Sequence, residues 1–490
     1  MEILLGPILT FRGLDGDGWH IGALVVTDDG AAPDFACPTA NTTGGFELLW
    51  EVGGKRALTC RFSVKPGKDA RTVDYSVGTA AYQLHVPAAG AAPHMAYGSC
   101  NGFSSLKAMK NVRDNNHLWR SMGDQHRAAP FHLLLLGGDQ VYADSMWSTV
   151  PMMTDWATLG WEEGNAAPAT PAMQKALREF YFNLYTSRWA QPEVAEMLAR
   201  VPTIAMWDDH DLIDGWGSYP GDRQNCAVYR DAIWPAARKA FRTFQQQLKD
   251  GEAHPGAIAP ERGLSFAHVT GPVAILALDL RSERTDRQIL SETHWDHVYE
   301  WMDALPDVRH LIVMSSIPVV YPGFDVLERI LGFLPGYQDL EDDLRDHWRT
   351  RAHKGERLRF IHRLLDLGAR KIRPTIVSGD VHVAGLGYVE STRAGHSTSA
   401  ALNQLISSGI VHPGPGGAVV FALRHLFDRP DEMDRGIVGR MVEFPGTQDK
   451  FVGSRNFLTL RPDDQSRLWS SWWVEGALDE PYVKVIHAVA

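Results

Sequence analysis

The segment Phe131–Asp144, FHLLLLGGDQVYAD, limits the possible folds more than any other part of the sequence. Its apolar run Leu133–Leu136 stops at two glycines and is followed by Asp139, Tyr142 and Asp144. A short apolar run that ends at glycines is typical of a buried central strand, although periodicity alone leaves a helix open. Open α/β sheets keep their chemistry at the carboxyl ends of the strands. The segment therefore predicts a strand that delivers acids and a phenol to a functional edge.

Three further stretches repeat this pattern. Each is a strand-like run that ends in small residues and then a potential metal ligand: Met95–Gly102 (MAYGSCNG), Pro202–Asp214 (PTIAMWDDHDLID) and Pro374–Ala384 (PTIVSGDVHVA). Beyond Pro93, strand-like runs alternate with helical stretches, which predicts an α/β fold. The predicted helices are Lys107–Met122, Ala172–Arg200, Ala232–Leu248 and Arg357–Leu367.

The chain divides by composition near residue 92. Residues 1 to about 86 have the pattern of short strands separated by turn signals, which predicts a small all-β sandwich. A Pro/Ala-rich linker follows these residues. We therefore predict an N-terminal β-sandwich domain over 1–92 and a catalytic domain over 93–490 that ends in β hairpins. Three stretches are predicted either to cover a pocket or to form plain surface loops. They are the irregular insertion Met146–Thr170, the insertion Tyr321–Arg345, and the Gly/Pro-rich and apolar stretch His412–Phe427.

Charge and hydropathy limit the partners and the location. The chain has 48 Lys+Arg against 59 Asp+Glu, a net charge of −11, which argues against a nucleic acid partner because phosphate backbones require a basic face. No apolar stretch is long enough to span a membrane, and the N-terminus does not read as a signal peptide. We expect a cytoplasmic protein if the sequence is complete, and a periplasmic or secreted one if an export signal was removed. No pattern indicates an oligomeric state.

The residues after the strands suit a site for more than one metal. Asp139 follows two glycines, and Asp380 and His382 alternate, so that in an extended segment they point to one face. Cys100 and Tyr142 favour a trivalent or soft transition metal over magnesium alone. Each of these residues taken singly is more often a turn residue, a buried small residue or part of a solvated surface. Their recurrence after strands of one domain favours the metal site.

These motifs resemble those of the PhoD-like alkaline phosphatases, a branch of the calcineurin-like metallophosphoesterases. The residues that carry the resemblance are Gly98–Cys100, Gly138–Asp144, Trp207–Asp211 and Ser378–His382, in matching order and spacing from about Pro93 to Val452. The resemblance implies an αββα metallophosphoesterase sandwich behind a small β-domain, with iron and calcium as cofactors.

The resemblance also implies residue roles. The metal ligands would be Cys100, Asp139, Tyr142, Asp209, Asp380 and His382. Cys100, Asp139, Tyr142 and Asp380 would hold iron. Asp139 would bridge to calcium, with Asp209 and His382 as further ligands. His210 takes the place of the histidine that contacts phosphate and assists the leaving group.

Two departures from the family pattern concern the substrate and the metals. Ser315–Pro318 stands where metallophosphoesterases place a ligand histidine before a proline, and Asp214 stands where members often carry asparagine. Asp214 is expected either to weaken contact with an oxyanion or to add calcium affinity. Arg281 is expected either to bind a phosphate oxygen or to form a surface salt bridge with Glu283 or a nearby acid.

The sequence thus predicts a metal-dependent phosphoric ester hydrolase, a phosphomonoesterase or phosphodiesterase acting on a small-molecule ester. A metal-bound hydroxide is expected to attack phosphorus directly, since no nucleophilic serine elbow, Gly-x-Ser-x-Gly, is present. One alternative is a lipid-facing phosphodiesterase with peripheral lipid contact, whose insertions Phe324–Leu334 and Val419–Phe427 contact acyl chains. Another is a non-catalytic metal-binding module.

Overall fold

The computed structural model describes residues 2–489 apart from 29, 43, 323–347, 349–351, 398 and 426–428. Its strands are β1 (Ile3–Asp15), β2 (Gly18–Thr27), β3 (Phe35–Ala36), β4 (Asn41–Thr42), β5 (Glu47–Val52), β6 (Lys55–Val64), β7 (Arg71–Val77), β8 (Ala80–Val86), β9 (Met95–Gly98), β10 (Leu133–Gly137), β11 (Thr203–Met206), β12 (Phe266–Thr270), β13 (Val273–Ala277), β14 (His310–Met314), β15 (Arg373–Ser378), β16 (Ala384–Ser391), β17 (Ala401–Ile406), β18 (Asp431–Asp434), β19 (Ile437–Val442), β20 (Phe451–Val452), β21 (Asn456–Pro462), β22 (Leu468–Val474) and β23 (Tyr482–Ile486).

The helices of the described residues, in chain order, are α1 (Leu106–Lys110), α2 (His117–Ala128), α3 (Met146–Thr149), α4 (Pro151–Ala157), α5 (Trp161–Ala166), α6 (Pro171–Trp189), α7 (Pro192–Arg200), α8 (Gly221–Gln224), α9 (Trp234–Phe244), α10 (Glu292–Asp303), α11 (Lys354–Asp366) and α12 (Gly417–His425). None of them is long and apolar enough to cross a bilayer.

Two large sheets form the centre of the molecule. The strand order of the first is β23-β22-β21-β9-β10-β11-β1-β2-β6-β4, with β5 paired to β6. The order of the second is β12-β13-β14-β15-β17-β16-β19-β18, with β20 paired to β16. Strands β9, β10 and β11 are parallel in the first sheet, and β13, β14, β15 and β17 are parallel in the second. Each parallel set therefore sends its carboxyl ends to one edge, where the predicted functional loops begin.

Side-chain alternation along β10 shows how the layers are arranged. Leu133 and Leu135 lie in a core shared by both sheets, whereas Leu134 and Leu136 lie in a core with helices α2, α6, α7 and α9. Successive residues of a strand point to opposite faces, so one apolar run serves both cores. A third core packs α10 and α11 on the outer face of the second sheet. The layer order is helix, sheet, sheet, helix, which confirms the predicted αββα sandwich.

The first 92 residues are all-β, as predicted, but most of their strands belong to the first large sheet. Strand β1 pairs in parallel with β11 at Thr10 and Thr203, so that β1, β2, β4, β5 and β6 extend that sheet. Strands β3, β7 and β8 form a separate three-stranded sheet. The domain boundary at residue 92 stays a prediction.

Three predictions of local structure need correction. The helix predicted over Lys107–Met122 is two helices, α1 and α2, and the helix over Ala172–Arg200 is interrupted before Pro192, which fits the first turn of a new helix. Met146–Thr170 was predicted to be irregular, yet it contains α3, α4 and α5, which are too short to show a helical period in sequence. Beyond residue 322, the insertion Tyr321–Arg345 lies outside the described residues.

Candidate metal centre and active site

The loops that follow β9, β10, β11 and β15 bring the predicted ligands together. One ligand atom each from Asp139, Asp209 and His210 lie within 4.8 Å of one another. Asp209 also belongs to a second such group with Asp208 and Asp380. All five side chains are buried. Two overlapping groups of ligand atoms that share Asp209 are suited to metal binding, and the presence of more than one metal stays a prediction.

The remaining predicted ligands lie beside these carboxylates. Sγ of Cys100 lies 3.6 Å from Oδ2 of Asp139. The Tyr142 ring lies between two imidazoles, with its centre 4.3 Å from that of His210 and 5.6 Å from that of His412. The ring of His382 stacks on His412 at 3.8 Å. The structure therefore places all six predicted ligands at one edge of the sandwich.

The backbone is strained where these side chains leave it. Four predicted ligands adopt positive φ: Cys100 (53°), Asp139 (51°), Asp380 (67°) and His382 (52°). Left-handed conformations are unfavourable for residues with a Cβ atom, and such strain clusters at functional sites. Gly138 shows how closely the loops approach, because a Cβ atom there would lie 2.7 Å from Cβ of Asp208. The strain argues that these loops serve a site rather than only a turn.

Several buried polar atoms of the predicted ligands make no hydrogen bond to any residue that the structure describes. They are Oδ1 of Asp139, the hydroxyl oxygen of Tyr142 and Nδ1 of His382. Buried polar groups without partners cost free energy and are rare in folded proteins. A set of carboxylate, phenol, imidazole and the nearby thiol of Cys100 matches the donors that transition metals prefer. The residues present therefore fit a metal site.

Electrostatics in the apoprotein oppose the charged forms of these groups. Burial raises the pKa of Asp139, of Cys100 and of Tyr142 well above their usual values, and neighbouring acidic groups add to the shift of each. A bound cation would favour the ionised forms and reverse these shifts. Metal binding should therefore release protons from the site.

His210 is held in a fixed orientation by Asp144. Oδ2 of Asp144 lies 2.5 Å from Nδ1 of His210, and its Oδ1 accepts a hydrogen bond of 2.8 Å from the backbone nitrogen of Asp214. Burial lowers the pKa of His210, but the carboxylates of Asp144, Asp209 and Asp214 outweigh burial and raise it well above its usual value. The arrangement favours a protonated imidazole, as an acid at a leaving group requires.

Arg281 lies beneath the site and is fully buried rather than on the surface. Its Nε donates to Oδ1 of Asp208 at 2.5 Å, and its Nη2 lies 3.3 Å from Oδ1 of Asp209. Ser316, which lies in the segment where the family pattern has a ligand histidine, donates to the same Oδ1 of Asp208 at 2.7 Å. These contacts fix the loop that carries Asp209 and His210. Contact of Arg281 with a phosphate stays a prediction.

Asp211 and Asp214 complete the same loop. Oδ1 of Asp211 accepts from the backbone nitrogens of Gln140 and Val141 at 3.2 and 3.3 Å, which ties the loop after β11 to the loop after β10. Asp214 is half-buried, and its carbonyl oxygen accepts from the Tyr219 hydroxyl at 2.7 Å. Contact of Asp214 with substrate stays a prediction.

Sequence reasoning missed three residues of this site. Asp144 was not assigned a role, although it lies next to His210 in the fold, and His412 was noted only as the start of an insertion. Ser408, after β17, lies 3.2 Å from Sγ of Cys100. The signal that could have found them is the stretch SSGIVHP after β17, which repeats the pattern of a strand followed by small residues and a ligand.

Comparison with known proteins gives a family match and a relative in yeast. The family model described as "PhoD related phosphatase" matches residues 68–334 and 330–429, which together exceed half of the chain. An uncharacterised protein of Saccharomyces cerevisiae is 29% identical over 369 residues, covering 62% of this chain and 52% of the yeast protein. This chain thus corresponds to about half the length of that relative.

Two solved structures share the fold. The structure of PhoD superposes with a TM-score of 0.58 at 13% identity, covering 99% of this chain and 89% of that one. The purple acid phosphatase from seeds of yellow lupin (Lupinus luteus) superposes with a TM-score of 0.53 at 13% identity, covering 98% and 74%. These two likenesses concern the fold, whereas the family model, which matches more than half of the chain, shows that the chain belongs to the PhoD-related phosphatases.

Proposed function

We propose that this protein hydrolyses phosphoric esters with the aid of metal ions held at the edge of its two sheets. The observation that carries the proposal is the convergence of buried carboxylates with Cys100 and Tyr142 around the His210–Asp144 pair. Unpaired buried polar atoms and a strained backbone destabilise the folded protein, so their concentration at this edge favours a functional role over a structural one. Family membership supports the same reaction class.

The proposed metals are iron and calcium. Cys100, Asp139, Tyr142 and Asp380 would hold iron, Asp139 would bridge to calcium, and Asp209 and His382 would be further ligands. Bound metal ions would lower the pKa of water from about 15.7 to about 7 and offset charge on the phosphoryl oxygens. Metal analysis of the purified protein tests the assignment, together with a visible ferric–phenolate band that Tyr142→Phe should abolish. A colourless iron-loaded protein, with metal content unchanged in Tyr142→Phe, would contradict it.

The residues of the chain would orient the ester and move a proton. Asp144 holds Nδ1 of His210, which leaves Nε2 as the nitrogen that can donate to the departing oxygen. Arg281 is the proposed cationic contact for the phosphoryl group, and Asp214 would lie in the substrate-binding region, where its carboxylate would either weaken contact with an oxyanion or add calcium affinity. We propose that no side chain forms a covalent phosphoenzyme, so that the reaction inverts configuration at phosphorus. A chiral thiophosphate ester hydrolysed in isotopic water distinguishes inversion from retention, and retention would direct attention to Ser99 or Cys100 as nucleophile.

Substrate comparisons separate the remaining alternatives. Relative kcat/KM values for nitrophenyl phosphate, bis-nitrophenyl phosphate and a phospholipid distinguish a monoesterase, a diesterase and a lipid-facing enzyme. Of the two apolar stretches proposed to contact lipid, Val419–Phe427 overlaps helix α12, in which Phe421 is 60% exposed. Full metal content without turnover of any ester would instead indicate a binding module.

A further inference from the structure

A cleft of about 1100 Å³ opens beside the metal-binding edge. Its lining includes Tyr142 and Asp144, the latter being the partner of His210. Its lining also includes Phe103, Leu106 and Arg113 from segment 103–113, which contains α1. The cleft is therefore adjacent to the group proposed to protonate the leaving oxygen, and it is large enough to hold a sizeable leaving group.

Segment 103–113 presents apolar side chains to this cleft without burying them. No residue of α1 is buried, and Leu106 and Met109, which both line the cleft, are 72% and 40% exposed. Phe103 is half-buried, with its ring centre 6.4 Å from that of His412. Apolar side chains that line a cleft and remain in water gain from burial against an apolar ligand.

The same segment is basic in an acidic protein. It carries Lys107, Lys110 and Arg113 and no acidic residue, whereas the whole chain has a net charge of −11. Arg113 is exposed, and it makes no hydrogen bond or ion pair with any residue in the described ranges. Arg188, which also lines the cleft, is by contrast bonded to Asn101 and Asn116. Asp114 and Glu193 also line the cleft, but both are paired with Arg120, as Asp144 is with His210. Arg113 is therefore available to a ligand anion.

One hydrogen bond joins the segment to the site, and a second caps its helix. Oγ of Ser104 lies 3.1 Å from Nε2 of His412, whose ring stacks on that of His382. Oγ of Ser105 caps α1 by accepting from the backbone nitrogen of Ala108 at 3.2 Å. The apolar and basic side chains therefore have a defined place relative to the proposed catalytic groups.

We propose that this cleft binds the leaving group of a phosphoric ester. That leaving group would have an apolar part and a negative charge of its own, in addition to the charge of the phosphate. The apolar part would cover Leu106, Met109 and Phe103, and the anionic group would pair with Arg113. The inference rests on the proposed hydrolase function and adds a substrate class to it. The ester could be soluble or part of a lipid surface, since both sources present the same chemistry.

The test compares two aryl esters, naphthyl phosphate and the same ester with a carboxylate on the distal ring. In wild-type protein the carboxylated ester should have the lower KM. Arg113→Ala should raise KM for the carboxylated ester about fivefold, by a larger factor than for the ester that lacks the carboxylate. Leu106→Ser should raise KM for both esters. Lys68→Ala, which removes an exposed cation far along the chain, is the matched control and should leave the ratio of the two KM values unchanged.

Binding of the corresponding phosphonates, measured by calorimetry, separates this inference from the proposed reaction. If phosphonate binding depends on the carboxylate and is weakened by Arg113→Ala, but no ester is hydrolysed, the proposed ligand of the cleft is supported and the proposed hydrolase function is wrong. If the esters are hydrolysed but Arg113→Ala leaves the ratio of their two KM values unchanged, the proposed ligand of the cleft is wrong and the hydrolase function is supported. Sedimentation with anionic and zwitterionic phospholipid vesicles assigns the source: vesicle binding lost in Leu106→Ser indicates a lipid surface, and absence of binding indicates a soluble ester.

Discussion

The hydroxyl oxygen of Ser408 lies 3.2 Å from the thiol sulfur of Cys100 and accepts a hydrogen bond of 2.9 Å from the backbone nitrogen of His382. Either atom can donate while Cys100 is a thiol, but a metal-bound thiolate has no proton, so the Ser408 hydroxyl would then donate to the sulfur. Ser408 therefore joins two predicted ligands that come from different loops, after β9 and after β15. Such hydrogen bonds orient metal ligands and tune the metal.

Ser408→Ala should weaken metal binding and change the electronic character of the sulfur. Loss of the hydrogen bond leaves the thiolate more electron-rich, so the sulfur-to-metal charge-transfer band of cobalt-loaded protein should move to lower energy. Ser408→Thr keeps a hydroxyl and should restore the band. Ser407→Ala is the control, since the Ser407 hydroxyl donates to Asn456 instead. An identical band in Ser408→Ala and wild type would remove Ser408 from this role.

His210→Ala should retain its metals and lose about 10²–10⁴-fold in kcat. The loss should be larger for an alkyl ester than for a nitrophenyl ester, because a nitrophenolate leaves with little need of a proton. Asp144→Asn should show the same dependence on leaving group with a smaller loss, since the amide keeps a contact to His210 without the charge. Asp155→Asn, at an exposed acid of α4, is the control. Equal losses for both esters would contradict the assignment of His210 as the acid.

A histidine cluster near the starts of β9 and β10 should make the fold sensitive to acid. Nδ1 of His132 accepts from the backbone nitrogen of His94 at 2.9 Å, and Nδ1 of His126 accepts from the backbone nitrogen of Phe131 at 3.0 Å. Burial lowers the pKa of His94 and of His132 to about 4, and that of His126 to about 3. All three are therefore neutral in the folded protein near pH 6.

The unfolded chain takes up protons at these histidines near pH 6.5, before the folded chain does. Their stabilising effect is thus complete above about pH 6.5 and falls as the pH drops toward about 4, by up to about 1.4 kcal/mol per pH unit for each group. Urea unfolding between these pH values should show a shallower pH dependence for His126→Gln than for wild type. The exposed His487→Gln should match wild type. Parallel curves for His126→Gln and wild type would contradict this reading.

The α/β alternation and the candidate residues that follow the strands could be predicted from the sequence because those signals are local, whereas the layer order was expected from the family resemblance. Asp139 and Asp380 each follow directly on a buried apolar run, and that adjacency alone places them at the edge of a sheet. The pairing of Asp144 with His210 joins residues 66 positions apart, and that of Ser104 with His412 joins residues 308 apart. No local pattern encodes such contacts. The parallel pairing of β1 with β11 likewise leaves no trace in the residues of β1, so the sequence alone did not place β1 in the first large sheet.

The most direct test concerns the dependence of ester hydrolysis on metal held by Asp139 and Asp380. Metal content and kcat for bis-nitrophenyl phosphate should be measured together in wild type, Asp139→Ala, Asp380→Ala and the control Asp155→Ala. The expected result is iron and calcium bound to wild type and to the control, with both metal and turnover lost in the two site variants. Turnover that persists in Asp139→Ala, or in wild-type protein stripped of its metals, would contradict the proposed function.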